Sequence, residues 1–134
     1  MNPPEGAIGT VVGIGTDIVA IQRVRDSLER FGERFARRIL TADELLEYRQ
    51  ARGTARFLAK RFAAKEAAVK AMGTGFRDGL AFDQIGVTHD PLGRPGLTYR
   101  GRAAQWIAGA GIAASLLSLS DERDYAVAFV ILLR

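Results

Sequence analysis

Hydrophobic positions divide the chain into a mostly helical half before Gly79 and a mostly extended half after it. The run Val11-Val12-Gly13-Ile14-Gly15-Thr16-Asp17-Ile18-Val19 reads as a buried strand that ends near an acid. Over residues 21–39, Val24, Leu28, Phe31 and Phe35 recur at helical spacing and make one apolar face, with Gly32 placed where the helix could break in two. Thr41 followed by Asp43-Glu44 predicts an N-cap with an acidic first turn, opening a short helix through Tyr48. The strongest helix falls at 54–72. Leu58, Phe62, Val69 and Met72 form its stripe, alanines cover much of the remaining surface, and Gly73 is placed to cap it. Such a helix should be largely buried and central to the fold.

Beyond Gly79 the pattern alternates. Segments 85–88 and 97–99 flank Asp90-Pro91-Leu92-Gly93-Arg94-Pro95, and segments 116–120 and 125–132 flank Asp121-Glu122-Arg123-Asp124, which predicts two hairpins. Residues 102–110, carrying Trp106, read as a helix between them. Helices and strands segregate rather than alternate, so the predicted class is α+β, an antiparallel sheet with a long central helix. No repeat or linker interrupts the 134 residues, which are read as a single domain over 1–134.

Composition narrows the chemistry. There is no cysteine, which excludes disulfides, thiolate zinc sites and cysteine nucleophiles. The lone histidine, His89, excludes multi-histidine metal sites and reads most simply as a surface residue at a strand end. A net charge of +4 and a pI near 10.0 favour an anionic partner. Residues 103–120 lack charge, but Gln105, three serines, Gly109 and Gly111 make that run too polar for a membrane span. The amino-terminal residues lack the basic start of a secretory signal, so a cytoplasmic protein is expected.

Gly13-Ile14-Gly15 suggests a dinucleotide loop, but Ile18 stands where the third glycine belongs. Asp17 is more informative, because a charge inside an apolar stretch costs several kcal/mol unless it is paired or metal-bound; the alternative is a helix N-cap. The 54–72 helix places Arg61, Lys65, Glu66 and Lys70 among alanines. A Glu66–Lys70 pair would explain the spacing. A carboxylate among three cations also suits a metal-bound phosphate ester, the acid holding metal and the cations holding phosphate oxygens. Arg23, Arg30, Arg34 and Arg38 would line one flank of the 21–39 helix if it ran unbroken through Gly32, making a strip for an acidic partner. Otherwise they form local pairs such as Asp26–Arg30 and Glu33–Arg37.

Two stretches, Gly13-Ile14-Gly15-Thr16-Asp17-Ile18-Val19 and Arg61-Phe62-Ala63-Ala64-Lys65-Glu66-Ala67-Ala68-Val69-Lys70-Ala71, resemble the signature motifs of the holo-acyl-carrier-protein synthase family. These are bacterial 4'-phosphopantetheinyl transferases of fatty-acid synthesis. Gly73-Thr74-Gly75, Gly79-Leu80-Ala81-Phe82, Gly93-Arg94-Pro95, Ser118-Leu119-Ser120-Asp121 and Tyr125-Ala126-Val127-Ala128 resemble its later blocks in order, so the likeness spans residues 11–132. It implies transfer of phosphopantetheine from coenzyme A to a serine of apo acyl carrier protein. In that reading Asp17 and Glu66 bind Mg²⁺, and Glu66 is also a candidate base. Lys70, Arg61 and Lys65 hold phosphate oxygens, Arg94-Pro95 lie near the adenine, and Arg23, Arg34 and Arg38 dock the acidic carrier. A homotrimer with interfacial active sites is also implied. Asp121 stands where many relatives carry histidine, and residues 1–6 match nothing in the family pattern.

Two other classes compete. A basic α+β chain could bind nucleic acid through its arginines, although no aromatic residues interleave with them. A purely structural oligomer would tolerate loss of Glu66.

Overall fold

The computed structural model describes residues 9–52 and 54–134, so residues 1–6 lie outside the described part. The order is β1 (Val11–Ala20), α1 (Ile21–Phe31), α2 (Glu33–Ile39), α3 (Ala42–Gln50), α4 (Ala55–Met72), a short 3₁₀ turn (Phe82–Gln84), β2 (Ile85–His89), β3 (Pro95–Tyr99), α5 (Gly101–Gly109), β4 (Ala114–Asp121) and β5 (Tyr125–Leu133). The expected α+β class holds. The strands form two antiparallel sheets rather than one, a three-stranded sheet ordered β1-β5-β4 and a β2-β3 hairpin beside it.

The long helix α4 lies across β1 and β5. From β5, Ala126, Ala128, Val130 and Leu132 turn inward with no exposure, and from α4, Ala59, Ala63, Ala64, Ala67 and Ala68 meet them fully buried. Small side chains on both surfaces let helix and sheet approach closely. The contact is tightest at β1. A Cβ added to Gly13 or Gly15 would fall 1.9 Å from the Ala71 carbonyl oxygen or 2.0 Å from that of Ala67. The glycine pair that suggests a nucleotide loop is thus a packing device. Gly15→Ala should destabilise the fold by about 3 kcal/mol, because backbone rather than a mobile side chain blocks the added methyl. Urea unfolding checks this; an unchanged midpoint would mean that helix and strand stand further apart than described.

Among the described residues, nothing covers the other face of the three-stranded sheet. Ile14 (60%), Ile18 (64%), Leu116 (53%) and Phe129 (40%) are all exposed there. The expectation of a buried strand at 11–19 therefore holds on only one of its faces.

Gly32 ends α1 with φ 65°, a left-handed value that glycine adopts without strain, and α2 starts anew at Glu33. The single arginine strip over 23–38 is corrected accordingly. Arg23 and Arg30 belong to one helix, Arg34 and Arg38 to the next. Nor do the expected local pairs form: Glu33 accepts from Arg49 of α3 (Nε to Oε2, 3.2 Å), and Asp26 accepts from Gln22 (2.8 Å).

Thr41 caps α3 through a complete capping box. Its hydroxyl accepts from the Glu44 amide (3.2 Å) while Oε1 of Glu44 accepts from the Thr41 amide (2.9 Å). Among the described residues no helix is long and apolar enough to cross a membrane, and the charge-free run 103–120 divides between α5 and β4.

Candidate active site

Alternation along β1 sends Gly13, Gly15, Asp17 and Val19 to the α4 side. On that side Asp17 follows Gly15 as the first position with a polar side chain, and it meets the C-terminal half of α4. Lys70 donates from Nζ to Oδ1 of Asp17 (3.0 Å) and to the Thr16 carbonyl (3.0 Å). The expected Glu66–Lys70 pair is replaced by this Lys70–Asp17 pair, with Asp17 mostly covered at 15% exposure. The N-cap alternative for Asp17 also falls, because α1 starts from Ala20 without a side-chain cap.

Glu66 lies one turn before Lys70 on α4, half-buried. Burial pushes its carboxyl above the ordinary value, the Asp17 charge adds to that, and Lys70 opposes both. Asp17 and Glu66 line one cleft of about 320 Å³, with Arg23 of α1 beside them and Val24, Phe35 and Phe62 as its apolar wall. Phe62 is held by stacking on Phe82 (5.3 Å between centroids).

Two carboxylates brought together against their mutual repulsion, with one ammonium compensating, are a donor set suited to a divalent cation. The described residues contain no group of three or more metal-ligating side chains. Mg²⁺ fits such a site, because it commonly takes one or two carboxylates and completes its shell with water and phosphate oxygens.

Arg61 and Lys65 do not line this cleft, which corrects the grouping of all three α4 cations around the one carboxylate Glu66. Positions 61 and 65 share one face of α4 and positions 66 and 70 another, about 100° away. Lys65 has no exposure at all; Nζ donates to Oε1 of Glu44 (2.6 Å) and to the Ile39 carbonyl (2.5 Å). Burial lowers its ammonium from the ordinary value, and Glu44 pulls it back. A group so enclosed holds no ligand phosphate. Arg61, 5% exposed, donates to the Val87 carbonyl (3.0 Å), Glu44 (3.5 Å) and Glu47 (3.4 Å), with its guanidinium over the Phe57 ring. Glu44 is thus a buried hub, also accepting from the Val87 amide (2.9 Å). Its capping role is visible in the sequence as Thr41-x-x-Glu44; its role as counter-ion to two α4 cations is not.

A second, basic cleft opens at the start of α4, lined by Arg56, Phe57, Lys60, the outer edge of Arg61, and His89. Asp121, the position that departs from many relatives, sits at its margin and accepts from Arg56 (2.8 Å) with Lys60 at 3.4 Å. The Arg56 bond holds the Asp121 carboxyl below the ordinary range. A third cleft of about 540 Å³ lies between the β2-β3 hairpin and β4, lined by His89, Asp90, Arg94, Pro95 and Ser115. Arg94 and Pro95 therefore lie in a cleft, though not the one holding Asp17 and Glu66. Arg23, Arg34 and Arg38 are exposed.

Residues 13–130 match the family model described as the 4'-phosphopantetheinyl transferase superfamily. The holo-[acyl-carrier-protein] synthase of Halorhodospira halophila is 57% identical over 122 residues, covering 91% of this chain and 97% of the relative. That of Vibrio cholerae is 53% identical over 124 residues, covering 92% and 98%. Among solved structures, the holo-[acyl-carrier-protein] synthase of Neisseria meningitidis superposes with a TM-score of 0.89 at 47% identity, covering 93% of this chain and all 100% of that one. The Helicobacter pylori synthase, solved in complex with coenzyme A, gives a TM-score of 0.78 at 28% identity, covering 89% and 98%.

Proposed function

This chain belongs to the 4'-phosphopantetheinyl transferase superfamily, and from that premise we propose that it transfers the phosphopantetheine arm of coenzyme A to a serine hydroxyl of apo acyl carrier protein. The reaction releases adenosine 3',5'-bisphosphate, requires Mg²⁺, and serves fatty acid biosynthesis in the cytoplasm. The observation that carries this reading is the juxtaposition of Asp17, Glu66 and Lys70 across β1 and α4.

In the reaction the seryl oxygen forms a bond to the phosphorus that bears the pantetheine, the bridging P–O bond of the pyrophosphate breaks, and the nucleotide leaves with that oxygen. Glu66, which lines the cleft beside Asp17, is the candidate to take the seryl proton, directly or through a water. Asp17 and Glu66 would hold Mg²⁺, which when bound offsets the pyrophosphate charge. Lys70 keeps Asp17 oriented and, 53% exposed, can also face a phosphate oxygen. The basic cleft and the Arg94–Pro95 cleft would take the nucleotide portion of coenzyme A.

Mass spectrometry of an apo acyl carrier protein incubated with this protein, coenzyme A and Mg²⁺ tests the reading. A gain of one phosphopantetheine is expected; an unmodified carrier in the presence of folded protein would refute it.

Arg23 beside the acid pair, with Arg34 and Arg38 exposed on α2, would dock the acidic carrier. Replacing all three by alanine should raise KM for the carrier by roughly tenfold at low salt, leave kcat within about twofold, and flatten the dependence of KM on ionic strength. An unchanged KM would place the carrier elsewhere. The uncovered sheet face with Ile14, Ile18, Leu116 and Phe129 supports a homotrimer with active sites at its interfaces. Sedimentation equilibrium should give three chain masses, and a monomer would contradict this.

A further inference from the structure

His89 is the one residue common to the linings of the basic cleft and the hairpin cleft. It ends β2, exposed, so its ring can reach a ligand in either. The cations around it are unequally free. Arg56 is committed to Asp121, the Glu122 carbonyl (2.5 Å) and the Arg123 carbonyl (3.1 Å). Arg61 is committed to Glu44, Glu47 and the Val87 carbonyl. Lys60 leans on Asp121 at a loose 3.4 Å. Among the described residues the side chains of His89 and Arg94 make no hydrogen bond or ion pair. The uncommitted donors at the junction are therefore Arg94 and His89, with Lys60 paired only to Asp121, and of the three only His89 changes charge near neutral pH.

We propose that His89 is a specificity-determining contact for the phosphate monoester of coenzyme A, binding it as the imidazolium together with Lys60 and Arg94. This rests on the transferase reading above and adds a residue, a protonation state and a phosphate to it. An imidazolium offers two donors and a charge, whereas neutral imidazole offers one donor, and charge-assisted bonds are the stronger. In the free protein partial burial holds the imidazole below its ordinary value, and Arg61 and Lys60 act in the same direction. Glu47 of α3 and Asp90 of the turn oppose them. Arg56 of α4, Arg94 of the turn and Asp121 of β4 complete the charges about the two clefts. A bound dianion outweighs the nearby cations, so binding takes up a proton and strengthens as pH falls. The monoester itself loses charge near pH 6, which acts in the opposite direction, so the histidine's part is read against a variant that lacks it.

With one histidine in the chain, the ¹⁵N imidazole signal reports His89 alone. Its pH titration, followed free, with coenzyme A and with dephospho-coenzyme A, is one arm of the test. The other arm is Kd for both ligands in wild type and His89→Gln from pH 5.5 to 8. Coenzyme A should move the titration upward by about one unit and dephospho-coenzyme A should leave it in place. Wild type should bind coenzyme A about tenfold more tightly than the variant at pH 5.5 and equally at pH 8, which corresponds to that one-unit shift. If coenzyme A binds with the titration unmoved, or dephospho-coenzyme A moves it equally, this inference is overturned and the transferase reading stands. If coenzyme A does not bind the folded protein, both are overturned. The variant's circular dichroism should match wild type, since His89 is exposed.

Discussion

Glu66→Gln is expected to lower transfer of phosphopantetheine by at least about 10³-fold, within the range for loss of a positioned proton acceptor, while the protein stays folded. The side chain keeps its size and loses the one property the site depends on, an ionised carboxylate. In the folded chain that charge is held against its own burial and against Asp17, with Lys70 alone in its favour. Removing it should leave the urea midpoint unchanged or slightly raised. Asp17→Asn should be comparably inactive and somewhat less stable, because Lys70 then loses its partner. Turnover measured beside the unfolding midpoint checks both. A Glu66→Gln enzyme with more than about a tenth of wild-type turnover would deny Glu66 any chemical part, since even a weak acid–base contribution exceeds tenfold.

The second large effect concerns stability alone. Glu44→Gln is expected to destabilise the fold by about 3–5 kcal/mol, the cost of leaving buried cations without their counter-ion. Glu44 accepts from Lys65, Arg61 and the amides of Thr41 and Val87, tying α3, α4 and β2 at one buried point. The glutamine amide would present donors where Lys65 and Arg61 already donate. Lys65→Met alone should also be costly, because it strands the carboxylate. Glu44→Leu with Lys65→Met should lose less than the sum of the separate losses, the non-additivity expected of groups in contact. Urea unfolding of wild type, Glu44→Leu, Lys65→Met and the double variant gives the cycle. Strict additivity would mean that Lys65 and Glu44 do not interact as described.

Much of this fold was legible in the pattern of residues because local signals agree with the tertiary outcome. The Thr41 cap, the alanine-rich stripe of α4 and the Pro- and Gly-bearing turns each specify an element by short-range chemistry. Asp17 and Glu66 were legible as charges in apolar settings, and the structure brings them to one cleft. What could not be read was which side each α4 charge would face. Lys65 and Glu66 are neighbours in sequence, equally surrounded by alanine, and only the arrival of Glu44 from α3 makes one a buried ion and leaves the other at a cleft. The exposed outer face of β1 was hidden for a similar reason. Ile14 and Ile18 carry the same signal whether covered by this chain or by another. His89 and Lys60 lie 29 positions apart, and no periodicity joins a strand end to the first turns of a helix.

The most direct test of the acid pair as a cation site is a Mn²⁺ titration followed by electron paramagnetic resonance, with coenzyme A present. Wild type should retain Mn²⁺, and Asp17→Asn or Glu66→Gln should each weaken that binding by at least about tenfold, as loss of a direct ligand should cost no less than loss of an outer partner. Equal retention by wild type and both variants would contradict the assignment and place the metal away from β1 and α4.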